Sequence, residues 1–171
     1  MKIIKYLFVL IVIVSLASCK SDDDNDTPYL LINENFSGQY NLNFLVANVE
    51  TTVIIGGNPV VVPSTSEGSV FQVDTSFNLN GSYSLGGQFL LTTTITGSGA
   101  TNEIIDLDEN GSYQLNDTAK TITITSNEEF LNGTFDVTLF NENELRIKSE
   151  KTTIDGDVTT ESVIEIRFTR L

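Results

Sequence analysis

Four oxygen-bearing side chains near the middle of the chain stand at the spacing of a calcium-binding loop. Asp106, Asp108, Asn110 and Asp117 fit the pattern D-x-D-x-N-G-x5-D, and Gly111 stands where that loop turns sharply. Calcium prefers oxygen ligands, so these residue types suit the ion. However, the last position holds Asp rather than the longer Glu, and the flanking residues alternate as strands do. An Asn110-Gly111 hairpin turn explains the same residues, and we expect that turn and no metal site.

Catalytic chemistry has no comparable set of residues. The chain contains no histidine, which excludes Ser-His-Asp and Cys-His nucleophile systems and histidine-ligated zinc. A glycosidase would need two carboxylates placed across a cleft, and the sequence singles out no such pair among its 23 acidic residues. We therefore expect no catalytic residues, no cofactor and no enzyme activity.

The single cysteine is placed for covalent attachment of lipid. Two lysines precede an apolar run from Tyr6 to Leu16, and the small residues Ala17 and Ser18 lead directly into Cys19. These are the parts of a secretory signal peptide over residues 1–18, and the apolar run is shorter than the ~20 residues of a transmembrane helix. Leu-Ala-Ser-Cys resembles the lipobox of bacterial lipoproteins, in which the sulfur carries the lipid. The resemblance implies an outer-membrane lipoprotein that is held at the membrane through Cys19.

Residues 19–33 are expected to form a flexible tether. The run from Lys20 to Asp26 is Lys-Ser-Asp-Asp-Asp-Asn-Asp, which has no apolar side chain to bury. The acidic cluster also resembles the signal that exports lipoproteins to the cell surface in some Gram-negative bacteria. A plain solvated spacer is the alternative interpretation.

The charge balance excludes one class of partner. The chain has 9 basic and 23 acidic residues, and removal of residues 1–18 leaves 7 basic residues and a net charge of −16. Affinity for nucleic acids comes from Lys and Arg on phosphates, and adhesion to anionic lipid headgroups also requires basic residues. We expect no nucleic-acid partner and attachment to the membrane through lipid alone.

Residues 34–171 have the pattern of one antiparallel β domain. Apolar and polar residues alternate along several runs, which is typical of strands with one face on a core and the other in water. The clearest runs are Tyr40–Val46, Tyr83–Ile95, Phe135–Leu139 and Ile164–Phe168. The count is about eight to eleven short strands, which predicts an all-β meander barrel, with a β-sandwich as the alternative.

The turn residues support the same organisation. Residues that tolerate positive φ predict tight hairpins at Asn80-Gly81, Asn110-Gly111, Asn132-Gly133 and Asp155-Gly156. Further turns or kinks are predicted at Gly56-Gly57 and Gly86-Gly87. The segment from Thr51 to Pro63 is expected to form an additional hairpin or a flap.

From Phe36 onward the pattern resembles the small lipocalin-like domains of bacterial lipoproteins. Gly38-Gln39-Tyr40 stands where lipocalins have Gly-x-Trp, and the stretch 110–124 resembles the turn, Gly-x-Tyr and return strand of that family. The segment from Phe135 to Ile147 resembles its penultimate hairpin. The chain also closes, at residues 166–171, on an aromatic and a basic residue, as that family often does.

The resemblance implies a meander barrel in which Arg167 or Arg170 packs across Tyr40 at the closed end. Solvent-facing arginines are the alternative. The aromatic residues expected to line the interior are Phe44, Phe71, Phe77, Tyr83, Phe89, Tyr113, Phe135 and Phe168.

Three functions remain open from the sequence, and one of them is an adhesin-like module stabilised by calcium at Asp106, Asp108, Asn110 and Asp117. The other two need no metal. The first is a membrane-anchored lipoprotein whose barrel binds a small apolar or amphipathic ligand without catalysis, which requires a cavity open at one end and inward rings that do not meet across it. The second is a structural or protein-interaction lipoprotein with a filled barrel and no ligand. Its interface would include the apolar hairpin between Val49 and Pro63.

Overall fold

The structure is a computed structural model that describes residues 29–128 and 130–171. The predicted signal peptide, the predicted lipidation site Cys19 and the predicted tether as far as residue 28 lie outside the described residues. Within the described ranges no helix is both long enough and apolar enough to cross a membrane. The elements, in order, are helix α1 (Asn33–Phe36) and strands β1 (Gly38–Ile55), β2 (Asn58–Phe77), β3 (Ser82–Ile95), β4 (Gly99–Asn116), β5 (Thr121–Ser126), β6 (Gly133–Phe140), β7 (Glu144–Asp155) and β8 (Val158–Arg170).

The eight strands form one closed antiparallel meander barrel. Each strand pairs with its neighbours in the sequence, and β8 returns to pair with β1. The predicted all-β meander barrel is confirmed, and the sandwich alternative is not what forms. The described residues contain eight strands, and several of them are much longer than the short runs expected.

Most predicted turns are where the sequence placed them. Gly56 and Gly57, with φ of 59° and 82°, join β1 to β2 directly, so the Thr51–Pro63 segment is a hairpin. Asn80-Gly81 and Asp155-Gly156 also lie at turns between strands. Asn132-Gly133 lies at the end of the longer connection between β5 and β6.

The predicted Asn110-Gly111 hairpin is wrong. Both residues lie inside β4, where Gly111 pairs with Tyr83 of β3 and with Ser126 of β5. A Cβ at Gly111 would overlap the Thr125 carbonyl and crowd the Tyr83 ring. Glycine is therefore needed there for close approach of neighbouring groups rather than for a turn.

Unequal strand lengths open the barrel along part of its height. β5 and β6 have 6 and 8 residues, whereas β1, β2 and β4 have 18, 20 and 18. β5 ends at Ser126 and β6 begins at Gly133. Beyond these two residues, the other six strands continue as a curved sheet in the order β7-β8-β1-β2-β3-β4. We call this extension the wall, and it comprises residues 46–67, 91–110 and 149–163.

Residues 29–33, which we expected to belong to a flexible tether, pack against the barrel instead. Leu31 is buried, and its backbone N–H donates to Asp117 Oδ1 at 2.9 Å. The Tyr29 ring lies 4.8 Å from the Phe140 ring, centroid to centroid. Apolar Tyr-Leu-Leu-Ile at 29–32 supplies surface that the acidic run before it lacks.

Candidate functional site

Six of the eight aromatic residues predicted to line the interior are buried in the core. They are Phe77, Tyr83, Phe89, Tyr113, Phe135 and Phe168. Phe71 is half-buried against them. Their rings meet inside the barrel, since the Phe77 ring lies 5.3 Å from the Tyr113 ring and 6.3 Å from the Phe168 ring. These contacts join β2 to β4 and to β8, so this level of the barrel is filled by side chains.

Phe36 closes one end of the barrel, a role that the alternation of apolar and polar residues does not predict. Its side chain is fully buried and contacts rings from four different strands. The centroid distances are 4.8 Å to Phe77, 5.2 Å to Tyr113, 5.5 Å to Phe140 and 6.1 Å to Tyr40. The only sequence signal was an aromatic residue just before the Gly38 that begins β1. We call this the plugged end.

Arg170 holds the plug in place. Its guanidinium donates to Tyr29 Oη at 3.0 Å and to the carbonyl oxygens of Asn35 and Ser37 at 2.6 and 2.5 Å. Its Cζ lies 5.6 Å from the centroid of the Tyr40 ring. The predicted packing of an arginine across Tyr40 is present, and Arg170 is the arginine that makes it.

Phe44 does not line the interior. A register shift in β1 between Leu42 and Phe44 places Phe44 beside Arg167, on the outer face of β8. The Arg167 guanidinium lies over the Phe44 ring at 4.1 Å, and it also pairs with Glu165 at 2.7 Å. The bulge reverses the alternation on which the interior assignment of Phe44 depended.

Half-buried apolar side chains lie at the other end of the core, below the wall. The Phe89 ring stands 5.6 Å from the Phe71 ring and 5.8 Å from the Phe130 ring, centroid to centroid. Val70, at a bulge in β2, has φ of 51°, which is strained for a β-branched residue. The side chains that form this shallow floor are Phe71, Leu91, Ile105, Phe130, Val137 and Ile164.

Glu109 is a buried carboxylate that the sequence analysis did not identify. It is 1% exposed and points inward from β4, on the face opposite Asp108. Its Oε1 accepts the Phe130 backbone N–H at 3.1 Å, and its Oε2 accepts the hydroxyls of Tyr83 and Ser126 at 3.2 and 3.3 Å. These bonds tie β4 to the connection between β5 and β6. Within the described residues Glu109 has no basic partner at ion-pair distance.

Burial has a second electrostatic effect at the aromatic residues. Desolvation raises the pKa of Tyr40, Tyr83 and Tyr113 to about 12. Each hydroxyl donates a hydrogen bond, with Tyr40 bonded to the Phe36 carbonyl and Tyr113 to the Asn78 carbonyl, both at 2.7 Å. The core therefore holds these hydroxyls in the neutral form.

The calcium-like residues do not converge. Asp106, Asp108 and Asn110 point outward at alternate positions of one extended strand, and Asp117 lies in the turn after β4. The hydrogen bond from Lys120 and the Leu31 N–H lower the pKa of Asp117. Across residues 29–128 and 130–171, no group of three or more His, Cys, Asp or Glu side chains could hold a metal ion. The calcium-loop spacing does not bring these side chains together, because a strand spreads its residues instead of curling them around an ion.

The wall leaves apolar side chains in solvent at its tips. Thr51, Val53 and Thr160 share its inner face with serines and valines of β2. The exposed apolar residues of the β1–β2 tip are Ile54, Ile55, Val60, Val61 and Val62. Within the described ranges, all the extensive contacts between elements join neighbouring strands, so no second layer packs on the wall.

The chain can also be compared with known proteins. Searches against protein-family models, curated proteins and solved structures found no match for this chain.

Proposed function

We propose that the chain is an outer-membrane lipoprotein, anchored through lipid on Cys19, whose lipocalin-like barrel is a non-catalytic module that binds another protein through its wall. The observation that carries this proposal is the contact of aromatic rings across the plugged end. A barrel filled in this way has little room for an enclosed ligand.

The exposed surface of the wall supports the same function. Soluble proteins rarely leave a long apolar sheet in water, and such surfaces are typical of interaction sites. The β1–β2 tip carries five exposed Ile and Val side chains, and Ile154 on the β7–β8 tip is 74% exposed. The interface expected between Val49 and Pro63 lies within this region.

The anchor is tested by metabolic labelling. The full-length chain, expressed in a Gram-negative host with radiolabelled palmitate, should incorporate label and partition with outer membranes. Cys19→Ser should remove both properties. Label on the Cys19→Ser chain, or membrane association without label on the parent chain, would refute the anchor.

A second candidate function rests on the apolar floor below the wall. Phe71, Phe130 and Ile164 are half-buried and open toward solvent, and such a surface can hold part of an apolar or amphipathic molecule. In this alternative the ligand would lie on top of the core rather than inside it.

Native mass spectrometry of the purified lipoprotein distinguishes the two functions. The interaction module predicts the mass of the lipidated chain alone, with nothing further in an organic extract except the anchor lipids. A stoichiometric apolar molecule that is lost with Phe130→Glu would establish the ligand-binding function and overturn the first proposal.

A further inference from the structure

The upper part of β4 has a free edge. β5 pairs with β4 only between Gly111 and Asn116, whereas β3 pairs with β4 from Gly99 to Ser112. No strand of the described ranges pairs with the other side of residues 99–110. This edge without a partner strand is therefore twelve residues long, and its last residue, Asn110, is bonded to the side chain of Asn127. It is longer than most strands of globular proteins.

The direction of the backbone groups on this edge follows from two hydrogen bonds. The Tyr113 N–H donates to the Gly81 carbonyl on the β3 side, and the Asn110 N–H donates to Asn127 Oδ1 on the opposite side at 3.3 Å. Alternate residues along a strand point their backbone groups to opposite sides. Asn102, Ile104, Asp106 and Asp108 therefore direct their N–H and C=O groups at the free edge.

A pocket lies beside this edge. It has a volume of about 320 Å³ and is lined by Asp106, Leu107, Asp108, Glu109, Glu128 and Phe130. Four of these six residues are carboxylates, and the buried Glu109 has no basic partner within the described residues. Both oxygens of Glu109 already accept hydrogen bonds inside the barrel, so the charge that an added segment would meet at this pocket comes from Asp106, Asp108 and Glu128.

The charge of the surrounding strands is of one sign. The sequence from Ser21 to Ala119 contains no lysine or arginine, so acidic residues are the only charged residues in β1 to β4. On the outer side of the edge Asp106 and Asp108 are exposed, and Ile104 is 64% exposed. On the inner side Leu107 and Ile105 continue into the apolar floor.

We propose that this free edge binds an extended, basic segment of another protein as an added antiparallel strand. The inference rests on the proposed protein-binding function and names its partner class. Basic side chains of the added strand face Asp106 and Asp108, and the alternate apolar side chains pack on Ile105 and Phe130. Main-chain hydrogen bonds to the edge supply affinity. The alternation of basic and apolar side chains along the added strand supplies specificity for its sequence.

Charge excludes two other occupants in favour of this one. A second copy paired edge to edge through β4 would bring Asp106 and Asp108 near their own counterparts, which is repulsive. The acidic run from Asp22 to Asp26 of the same chain is repelled in the same way. The free edge of β7, over residues 149–155, is shorter and mixes Glu150 with Lys151, so it lacks the single sign of β4.

Fluorescence anisotropy on the detergent-solubilised full-length lipoprotein tests the proposal. The probe is a labelled nine-residue peptide of alternating valine and lysine. Three control peptides have the lysines grouped at one end, glutamate in place of lysine, or N-methyl groups on every second amide. The alternating peptide should bind at micromolar concentration, and every control should bind at least about tenfold more weakly.

Two protein variants separate the charges from the backbone edge. Asp106→Asn with Asp108→Asn should weaken the peptide about two- to thirtyfold, as expected for two partly exposed ion pairs. The matched control is Glu50→Gln with Glu161→Gln, a cross-strand pair on the outer face of the wall, which should have no effect. Ile104→Pro removes one N–H from the free edge while leaving the β3 ladder intact, and it should abolish binding.

Each outcome bears on the proposal. If Ile104→Pro fails to fold, Asn102→Pro is used in its place, because it removes a backbone N–H donor from the same edge. Equal binding of the alternating and grouped peptides, or full binding to the proline variant, would overturn strand addition. Concentration-dependent oligomers that the proline variant abolishes would instead assign the edge to a second copy. An extracted apolar ligand would refute the proposed function by a separate measurement.

Discussion

Replacement of Phe36 by alanine tests whether the plugged end is filled in solution. The side chain is fully buried, and four rings surround it at centroid distances of 4.8 to 6.1 Å. Removal of a buried phenylalanine lowers the free energy of unfolding by about 3–5 kcal/mol, because apolar contacts are lost and a cavity remains. We expect the upper half of that range, since Phe36 also fixes α1 against the barrel.

Urea unfolding measures the loss directly. The chain has no tryptophan, so tyrosine fluorescence and near-ultraviolet circular dichroism report the transition in the mature chain with Cys19→Ser. A loss of that size corresponds to a fall in Tm of roughly 6–20 °C for a domain of this length. The new cavity is apolar, so benzene should raise the Tm of Phe36→Ala and leave that of the parent unchanged.

The control for this experiment is Leu30→Ala. Leu30 is 47% exposed and lies near the same helix, so its loss should change stability by less than about 0.5 kcal/mol. A loss below about 1 kcal/mol for Phe36→Ala would refute the filled barrel, and with it the main support for the proposed function.

Three further predictions concern the same end of the barrel and its strands. The three buried tyrosines ionise with a pKa of about 12 rather than 10.0. Their neutral form is the buried one, so about 3 kcal/mol each is present below the unfolded pKa and is lost as pH rises through the folded value. Urea midpoints and tyrosinate absorbance, measured together as the pH rises from the unfolded pKa to the folded pKa of these tyrosines, test this loss of stability. Arg170→Ala should remove about 2–3 kcal/mol and speed hydrogen exchange at residues 29–37, with Arg170→Lys restoring little of either. Gly87→Ala should destabilise by more than about 2 kcal/mol, because its φ is 123° and a Cβ would overlap a β2 carbonyl, whereas Gly86→Ala should be tolerated in the same melting assay.

Local features of the chain were sufficient to predict the barrel. Gly56-Gly57 lies between two apolar runs, and only a positive-φ turn suits two adjacent glycines there. The alternation from Tyr83 to Ile95 survives in β3 because that strand pairs with β4 without a bulge. Such signals depend only on residues that are close together in the sequence, so they can be recognised without the structure.

The candidate site depends on features that no local pattern contains. Asn110-Gly111 has the composition of a turn, but Gly111 is required by the Thr125 carbonyl and the Tyr83 ring, which come from other strands. The free edge of β4 exists because β5 is short, and nothing within β4 encodes the length of its partner. Glu109 likewise looks like one more acidic surface residue until the connection that buries it is in place.

Residues 29–37 dock at the plugged end, which lies at the opposite end of the barrel from the three hairpin tips of the wall. β1 begins there and runs 18 residues to the β1–β2 tip, a path of roughly 55 Å at the usual rise per strand residue. In a copy held by lipid on Cys19, the three hairpin tips therefore lie at the opposite end of the barrel from the point where the chain enters it. Trimming the β1–β2 hairpin would shorten the barrel at that end and leave the docked residues 29–37 in place.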